Sequence, residues 1–172
     1  MLLAVIGFCL SCSRQGANHS PNVQSIGDSI PFYFNISTDA EFSIEDRCRA
    51  VNRLYFHLKK KERDTIYGHI LYQKNVLHLS LKEYDSLSFY NDRLIDYASR
   101  NGDVFNLARQ YYLMGYYFSV ITQDYERAFQ NYTSSKSYYE QIKDWNWVGI
   151  NLLNMGTIQK DFNDYFGSKE TL

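Results

Sequence analysis

The chain has 172 residues, of which 45% are hydrophobic and 17% aromatic, with sixteen tyrosines and only two prolines. This length is typical of one domain or of part of a longer array, and the apolar content is sufficient for an ordered core. The formal charge of −1 argues against a nucleic-acid-binding protein, because such proteins normally carry a basic face. We therefore expect no nucleic-acid partner for this segment.

An apolar run from Leu2 to Leu10 opens the chain and ends in Ser11 and Cys12. A transmembrane helix needs about 20 apolar residues, whereas this run has the length of the apolar core of a secretory signal. Leu10-Ser11-Cys12 resembles the lipobox of bacterial lipoproteins, although no Lys or Arg precedes the run and Cys9 replaces the usual leucine. The resemblance implies a signal peptide over residues 1–12 and lipidation of Cys12. An ordinary cleaved signal peptide and a buried N-terminal segment are the alternatives.

Residues 13–42 predict a flexible linker. Their first twenty are rich in Ser, Asn, Gly and Pro and show no apolar period. We expect this stretch to act as a tether between the N-terminal cysteine and a helical domain over residues 43–172.

From Ser43 onward, apolar residues recur three and four positions apart, and no stretch alternates with period two. This spacing predicts an all-α domain. Helices are expected near residues 48–58, 66–77, 84–98, 104–121, 125–142 and 145–159, with a seventh under way by Tyr165.

Acidic residues punctuate these helices with a period near forty. One set stands where an N-cap is wanted, since a carboxylate accepts the free N–H groups of a first turn: Asp64, Asp103 and Asp144. A second set opens the alternate helices, and a tyrosine follows each of its members: Glu83, Asp124 and Asp164. Two helices and two short turns therefore recur, as in a hairpin that is incomplete until the next hairpin covers it.

The spacing of Gly115, Asp124-Tyr125 and Ala128 resembles the tetratricopeptide repeat. Gly156 with Tyr165 and Ser168 matches again, and Asn75 with Tyr84 and Leu87 is a looser copy. The period is near forty rather than 34, the distance from Gly115 to Ala128 is one residue longer, and the proline between repeats is absent. The resemblance covers residues 43–172. It implies an α-solenoid of antiparallel hairpins, with about three repeats plus an N-terminal helix, in which Gly115 faces Ala128. Another type of helical-hairpin solenoid is the alternative.

The sequence stops inside what the resemblance implies is the second helix of a third hairpin. We therefore expect the given chain to be truncated at its C-terminus; the alternative is that another chain covers this end. It resembles the N-terminal part of bacterial envelope proteins that carry tetratricopeptide arrays, many of which continue into a kinase or a DNA-binding domain.

No catalytic or metal-binding pattern is present in the sequence. The four histidines have no metal-ligand spacing, and the nine glycines form no phosphate-binding loop. We expect no enzymatic activity, no metal and no cofactor.

A binding surface follows from the resemblance, because the first helix of each hairpin in that family lines a concave groove. The implied groove residues are His69, Tyr72, Val76, Arg109, Tyr112, Tyr116, Leu153 and Lys160. Arg109 or Lys160 would bind a carboxylate of a protein or peptide ligand. We expect a non-catalytic interaction or scaffold module, the sensory or regulatory part of a signalling protein, lipid-anchored in a bacterial envelope and facing the periplasm or exterior. An outer-membrane carbohydrate-binding lipoprotein is the alternative, and it would require long inserted loops with exposed Trp and acidic groups.

Overall fold

The computed structural model describes the backbone of residues 29–59 and 65–170 and the side chains of residues 30–59 and 66–160. Within these ranges the chain forms helices and no β-strand, so the prediction of an all-α domain is confirmed. The helices are α1 (Ser29–Thr38), α2 (Ile44–Leu58), α3 (Thr65–Ser80), α4 (Tyr84–Asn101), α5 (Val104–Tyr116), α6 (Tyr125–Gln141) and α7 (Trp145–Glu170). The predicted signal peptide, the lipidation at Cys12 and the cap at Asp64 lie outside the described residues.

Side-chain caps begin most of these helices. The carboxylates of Asp103 and Asp124 accept hydrogen bonds from backbone N–H groups three residues later, each at 3.1 Å. Asp144 caps α7 in the same way through the Trp147 N–H at 3.3 Å. Glu83 stands at the start of α4 without a side-chain cap bond. The predicted starts at residues 83, 103, 124 and 144 are confirmed.

Helix α1 corrects the predicted linker, because it occupies residues 29–38 of the stretch expected to be flexible. Ile30, Tyr33 and Phe34 pack against the core that α2, α3 and α4 share. Ser37 is fully buried, and its hydroxyl donates to the Phe34 carbonyl at 2.6 Å. Four positions spaced three and four apart thus give α1 a buried face, which the polar composition of the surrounding residues conceals.

Each helix packs against the next along the chain, and α3 also contacts α5. Two close approaches show how the hairpins pair. A Cβ atom added at Gly68 of α3 would lie 2.6 Å from the Tyr97 ring of α4, and one added at Gly115 of α5 would lie 2.7 Å from the Tyr132 ring of α6. The three atoms nearest to the added Cβ at Gly115 all belong to Tyr132, one turn after Ala128, and Ala128 lies in the same buried cluster as Tyr132.

A π-helical segment, Tyr117–Thr122, continues α5. A π-type hydrogen bond spans one residue more than an α-type bond, and such segments absorb single-residue insertions. The Gln123 N–H bonds to the Phe118 carbonyl five residues earlier. This segment therefore accommodates the extra residue between Gly115 and Ala128.

Helix α7 corrects the predicted third hairpin. It runs without a break from Trp145 to Glu170, through the boundary expected before Tyr165. Every turn between α3 and α7 contains a residue in the left-handed region, namely Lys82, Gly102, Gln123 and Lys143. No glycine or proline occurs between Gly156 and Gly167. The continuous helix satisfies the backbone hydrogen bonds of this stretch without a turn residue in the left-handed region.

Candidate peptide-binding site around Arg109

Arg109, on α5, makes its contacts with α3 and with the preceding turn of its own helix. Its guanidinium carbon lies 3.6 Å from the centre of the Tyr72 ring and 5.0 Å from that of Phe105. Its Nη1 donates to Nδ1 of His69 at 3.2 Å. These contacts hold the guanidinium by cation–π attraction and one hydrogen bond.

A cavity of about 90 Å³ opens beside this guanidinium, and we call it the Arg109 pocket. It is lined by Tyr72, Phe105, Arg109, Tyr112, Tyr139 and Trp147. The Trp147 ring, from α7, stacks on Tyr139 with centroids 5.4 Å apart and meets Tyr112 edge to face at 4.8 Å. Side chains from α3, α5, α6 and α7 thus build one aromatic wall, because the fold brings these four helices together here.

Burial and charge determine the protonation states of His69, Tyr112 and Tyr139. Burial, reinforced by the nearby Arg109 charge, lowers the pKa of His69 below its usual value. His69 is therefore neutral at neutral pH, and its Nδ1 can accept from Arg109. Burial raises the pKa of both Tyr112 and Tyr139, so their hydroxyls stay protonated. The pocket therefore presents one fixed positive charge among neutral rings.

Arg109 forms no ion pair with an Asp or Glu among the residues that the structure describes. The nearby Asp103 carboxylate accepts from the backbone N–H and the side-chain amide of Asn106, at 3.1 and 2.6 Å. A guanidinium has five N–H donors and normally finds a carboxylate or phosphate partner when it is partly buried. The free donors of Arg109 can therefore receive an anionic group from a ligand.

The structure brings together four of the eight predicted groove residues. Tyr72, Arg109 and Tyr112 line the pocket, and His69 accepts a hydrogen bond from Arg109 without lining the pocket itself. The other four lie elsewhere. Val76 packs with Leu87 and Leu113 between α3, α4 and α5, Tyr116 is half-buried, and Leu153 and Lys160 are exposed on α7.

Phe105, Tyr139 and Trp147 line the pocket but were not predicted. Phe105 lies one turn before Arg109 on the same face of α5, so helical spacing contains a signal for it. Tyr139 belongs to the second helix of its hairpin, which the family resemblance places outside a groove. Trp147, rather than Leu153, is the residue that α7 contributes.

Comparison with known proteins finds no matching family model, no matching curated protein and no matching solved structure. Within the described helices, none combines the length and hydropathy needed to cross a bilayer. Side chains of residues 30–59 and 66–160 form no group of three or more potential metal ligands.

Proposed function

We propose that this chain is a non-catalytic interaction module that binds a peptide through a carboxylate at Arg109. The observation that carries the proposal is the guanidinium itself, held by His69 and Tyr72 beside an aromatic-lined cavity, with no acidic partner among the described residues. Arginine and aromatic side chains in pockets are the groups that dominate binding energies at protein interfaces.

The size of the pocket suggests which part of a peptide enters it. A protein cavity of about 150 Å³ accommodates benzene, so a cavity of about 90 Å³ accepts a group of only a few heavy atoms. A carboxylate with one or two attached carbons fits this limit, and its two oxygens match the paired donors of a guanidinium. The rest of the peptide would lie over the exposed edges of the neighbouring helices.

The scaffold for this site, in our proposal, is an α-solenoid of tetratricopeptide type. Two features support it: the helices pack in chain order, and α3 lies against α5, so first helices of successive hairpins are neighbours. We propose further that lipidated Cys12 anchors the module in a bacterial envelope, as the sensory or regulatory part of a signalling protein. A Cys12→Ala variant that stays membrane-bound and still incorporates labelled lipid would refute the anchor.

Intrinsic fluorescence tests the binding site directly. A Trp145→Phe background leaves Trp147, in the pocket wall, as the remaining tryptophan. Peptides from a random library would be titrated as matched pairs with free and amidated C-termini. We expect free carboxylates to bind at least about tenfold more tightly, since one charge-assisted hydrogen bond contributes roughly 1.5–3 kcal/mol.

Arg109→Gln should abolish this preference, and the matched variant Arg100→Gln, at an exposed site of α4, should preserve it. Equal binding of free and amidated peptides by the wild-type chain would contradict the proposal. Selective binding of oligosaccharides instead would favour the carbohydrate-binding alternative. That alternative has less support, because the connections from α3 to α7 contain only two or three residues and no inserted loop.

A further inference from the structure

The outward face of α7 is apolar and uncharged. From Trp145 to Gln159 the helix contains no Asp, Glu, Lys or Arg. Trp145, Leu152 and Leu153 are 65%, 52% and 63% exposed on this stretch. A solvated helix face normally carries charged side chains, and exposed apolar patches of this kind mark interaction sites.

Two glycines on this face leave open space. A Cβ atom added at Gly149 or Gly156 would meet nothing within 4 Å. Both residues lie on the same stripe as Trp145 and Leu152, because consecutive members of the set 145, 149, 152 and 156 are four, three and four positions apart. The stripe therefore alternates two large apolar side chains with two gaps.

The hairpin of α5 and α6 shows how such gaps are filled in this fold. Gly115 receives the ring of Tyr132, and Ala108, seven residues earlier, packs in a buried cluster with Tyr139, seven residues later. Small residues seven apart on one helix thus meet large residues seven apart on an antiparallel partner. Gly149 and Gly156 lie 41 residues after Ala108 and Gly115, so α7 repeats the small half of this pattern.

Helix α7 also carries two large residues seven positions apart, Trp145 and Leu152, which correspond to the large side of this pattern. We propose that the face of α7 is a homodimer interface, in which two copies pair antiparallel about a two-fold axis. Trp145 then fits at the partner's Gly156, and Leu152 at the partner's Gly149. A two-fold axis requires each contact to occur twice with the roles exchanged, and this register satisfies the condition for both pairs.

Charge at the ends of the stripe is balanced. Lys143 and Asp144 precede the apolar stretch, and the exposed Lys160 follows it. In the antiparallel register the partner's Lys160 lies within about one helical turn of both Lys143 and Asp144, so the flanking charges do not oppose the pairing. The exchange of large and small positions about the two-fold axis is the feature that fits a second copy of this face.

The size of the face sets the expected affinity. The uncharged stretch of 15 residues is about 22 Å long, and covering its exposed large side chains buries less than the roughly 800 Å² per partner of a standard interface. We therefore expect a weak dimer with a dissociation constant on the order of micromolar. The inference does not rest on peptide binding, because Trp147 and the Arg109 pocket lie on the inner side of α7.

Sedimentation velocity on the full 172-residue chain, over a range of concentrations, tests the dimer. The wild-type chain should shift from monomer to dimer as its concentration rises. Gly149→Asp and Leu152→Lys should each raise the dissociation constant at least about 100-fold, since each places an unpaired charge at the centre of the interface. Circular dichroism would verify that both variants keep their helix content.

An equimolar mixture of the two variants provides the sharpest result. In the mixed dimer, the introduced carboxylate at position 149 faces the introduced ammonium at position 152, and the second contact of that kind remains native. The mixture should therefore dimerise although each variant alone is monomeric. Matched charges at exposed positions away from α7, Ser99→Asp and Ser137→Lys, should leave the wild-type dimer intact. A wild-type chain that stays monomeric, or a folded mixture that does, would overturn the proposal.

Discussion

Helices α5 and α7 carry the same small-residue pattern in opposite surroundings. In α5, Ala108 is fully buried and Gly115 receives the Tyr132 ring. In α7, Gly149 and Gly156 occupy the equivalent positions 41 residues later and face open space. The comparison shows that the same small-residue pattern is buried only where a second helix covers it.

Removal of the Tyr132 ring, which covers Gly115, should give the largest difference in stability between α5 and α7. Tyr132 is 2% exposed, and burial raises the pKa of its hydroxyl to about 12. Tyr132→Ala should lower the free energy of unfolding by about 3–5 kcal/mol, as for other large-to-small aromatic substitutions in cores. Leu153→Ala on the exposed face of α7 should change it by less than about 0.5 kcal/mol in dilute, monomeric solution. Urea denaturation measures both, and similar losses would mean that the two faces are equally buried.

A hydrogen-bonded network of buried side-chain amides gives a second contrast between α5 and α7. Gln110 of α5 accepts from Asn75 of α3 at 3.1 Å and donates to Asn91 of α4 at 2.8 Å. Gln110→Leu should destabilise the fold by about 1–3 kcal/mol, because it leaves buried amide groups without partners.

The equivalent residue of α7 is Asn151, which is buried but donates only to the Trp147 carbonyl of its own helix, at 2.7 Å. Its Oδ1 has no partner among the described atoms. Asn151→Leu should therefore be nearly neutral or stabilising. A large loss of stability in thermal unfolding would show that α7 has a polar partner at this position.

A smaller effect on the free energy of unfolding should appear as a pH dependence that arises from His69, which accepts a hydrogen bond from Arg109. The pKa of His69 is lower in the folded chain than its unfolded value of about 6.5. The unfolded state therefore binds more protons, so stability is fully present above pH 6.5 and falls as the pH decreases through the folded pKa. His69→Gln should flatten this decline in urea titrations at pH 5 to 7 relative to wild type. An unchanged profile would show that His69 is not held in its neutral form.

Local signals in the sequence are sufficient to predict the positions of the helices between Ser43 and Gln159. Apolar spacing and acidic caps are properties of a few neighbouring residues, and Asp103, Asp124 and Asp144 cap helices as predicted. Helix α1 was missed because its apolar spacing extends over only ten residues next to a stretch rich in Ser, Asn, Gly and Pro, and because its packing against α2 is a tertiary contact. The boundary at Asp164 was wrong because an acidic residue and a tyrosine also fit inside a continuous helix.

The candidate site could be predicted only in part, for a similar reason. Arg109 and Tyr72 were both predicted to line the groove, from the first helices of successive hairpins, and the structure places them in contact. The contribution of Tyr139 and Trp147 depends on how α6 and α7 cross α5, which helical periodicity does not determine. Lys74 illustrates the same limit. It occupies an apolar position of α3 and is buried, because its ammonium lies over the Tyr90 ring at 4.3 Å and donates to Asn52 at 2.7 Å.

One pair of substitutions tests the central comparison most directly: Gly115→Ala and Gly156→Ala, measured by urea denaturation in dilute, monomeric solution. At position 115 the added methyl group meets the Tyr132 ring at 2.7 Å, so the free energy of unfolding should fall by about 1–3 kcal/mol. At position 156 it meets nothing within 4 Å, so the helix propensity of alanine should raise the free energy of unfolding by up to about 1 kcal/mol. Changes of the same sign would contradict the account, because the two equivalent glycines would then lie in the same environment.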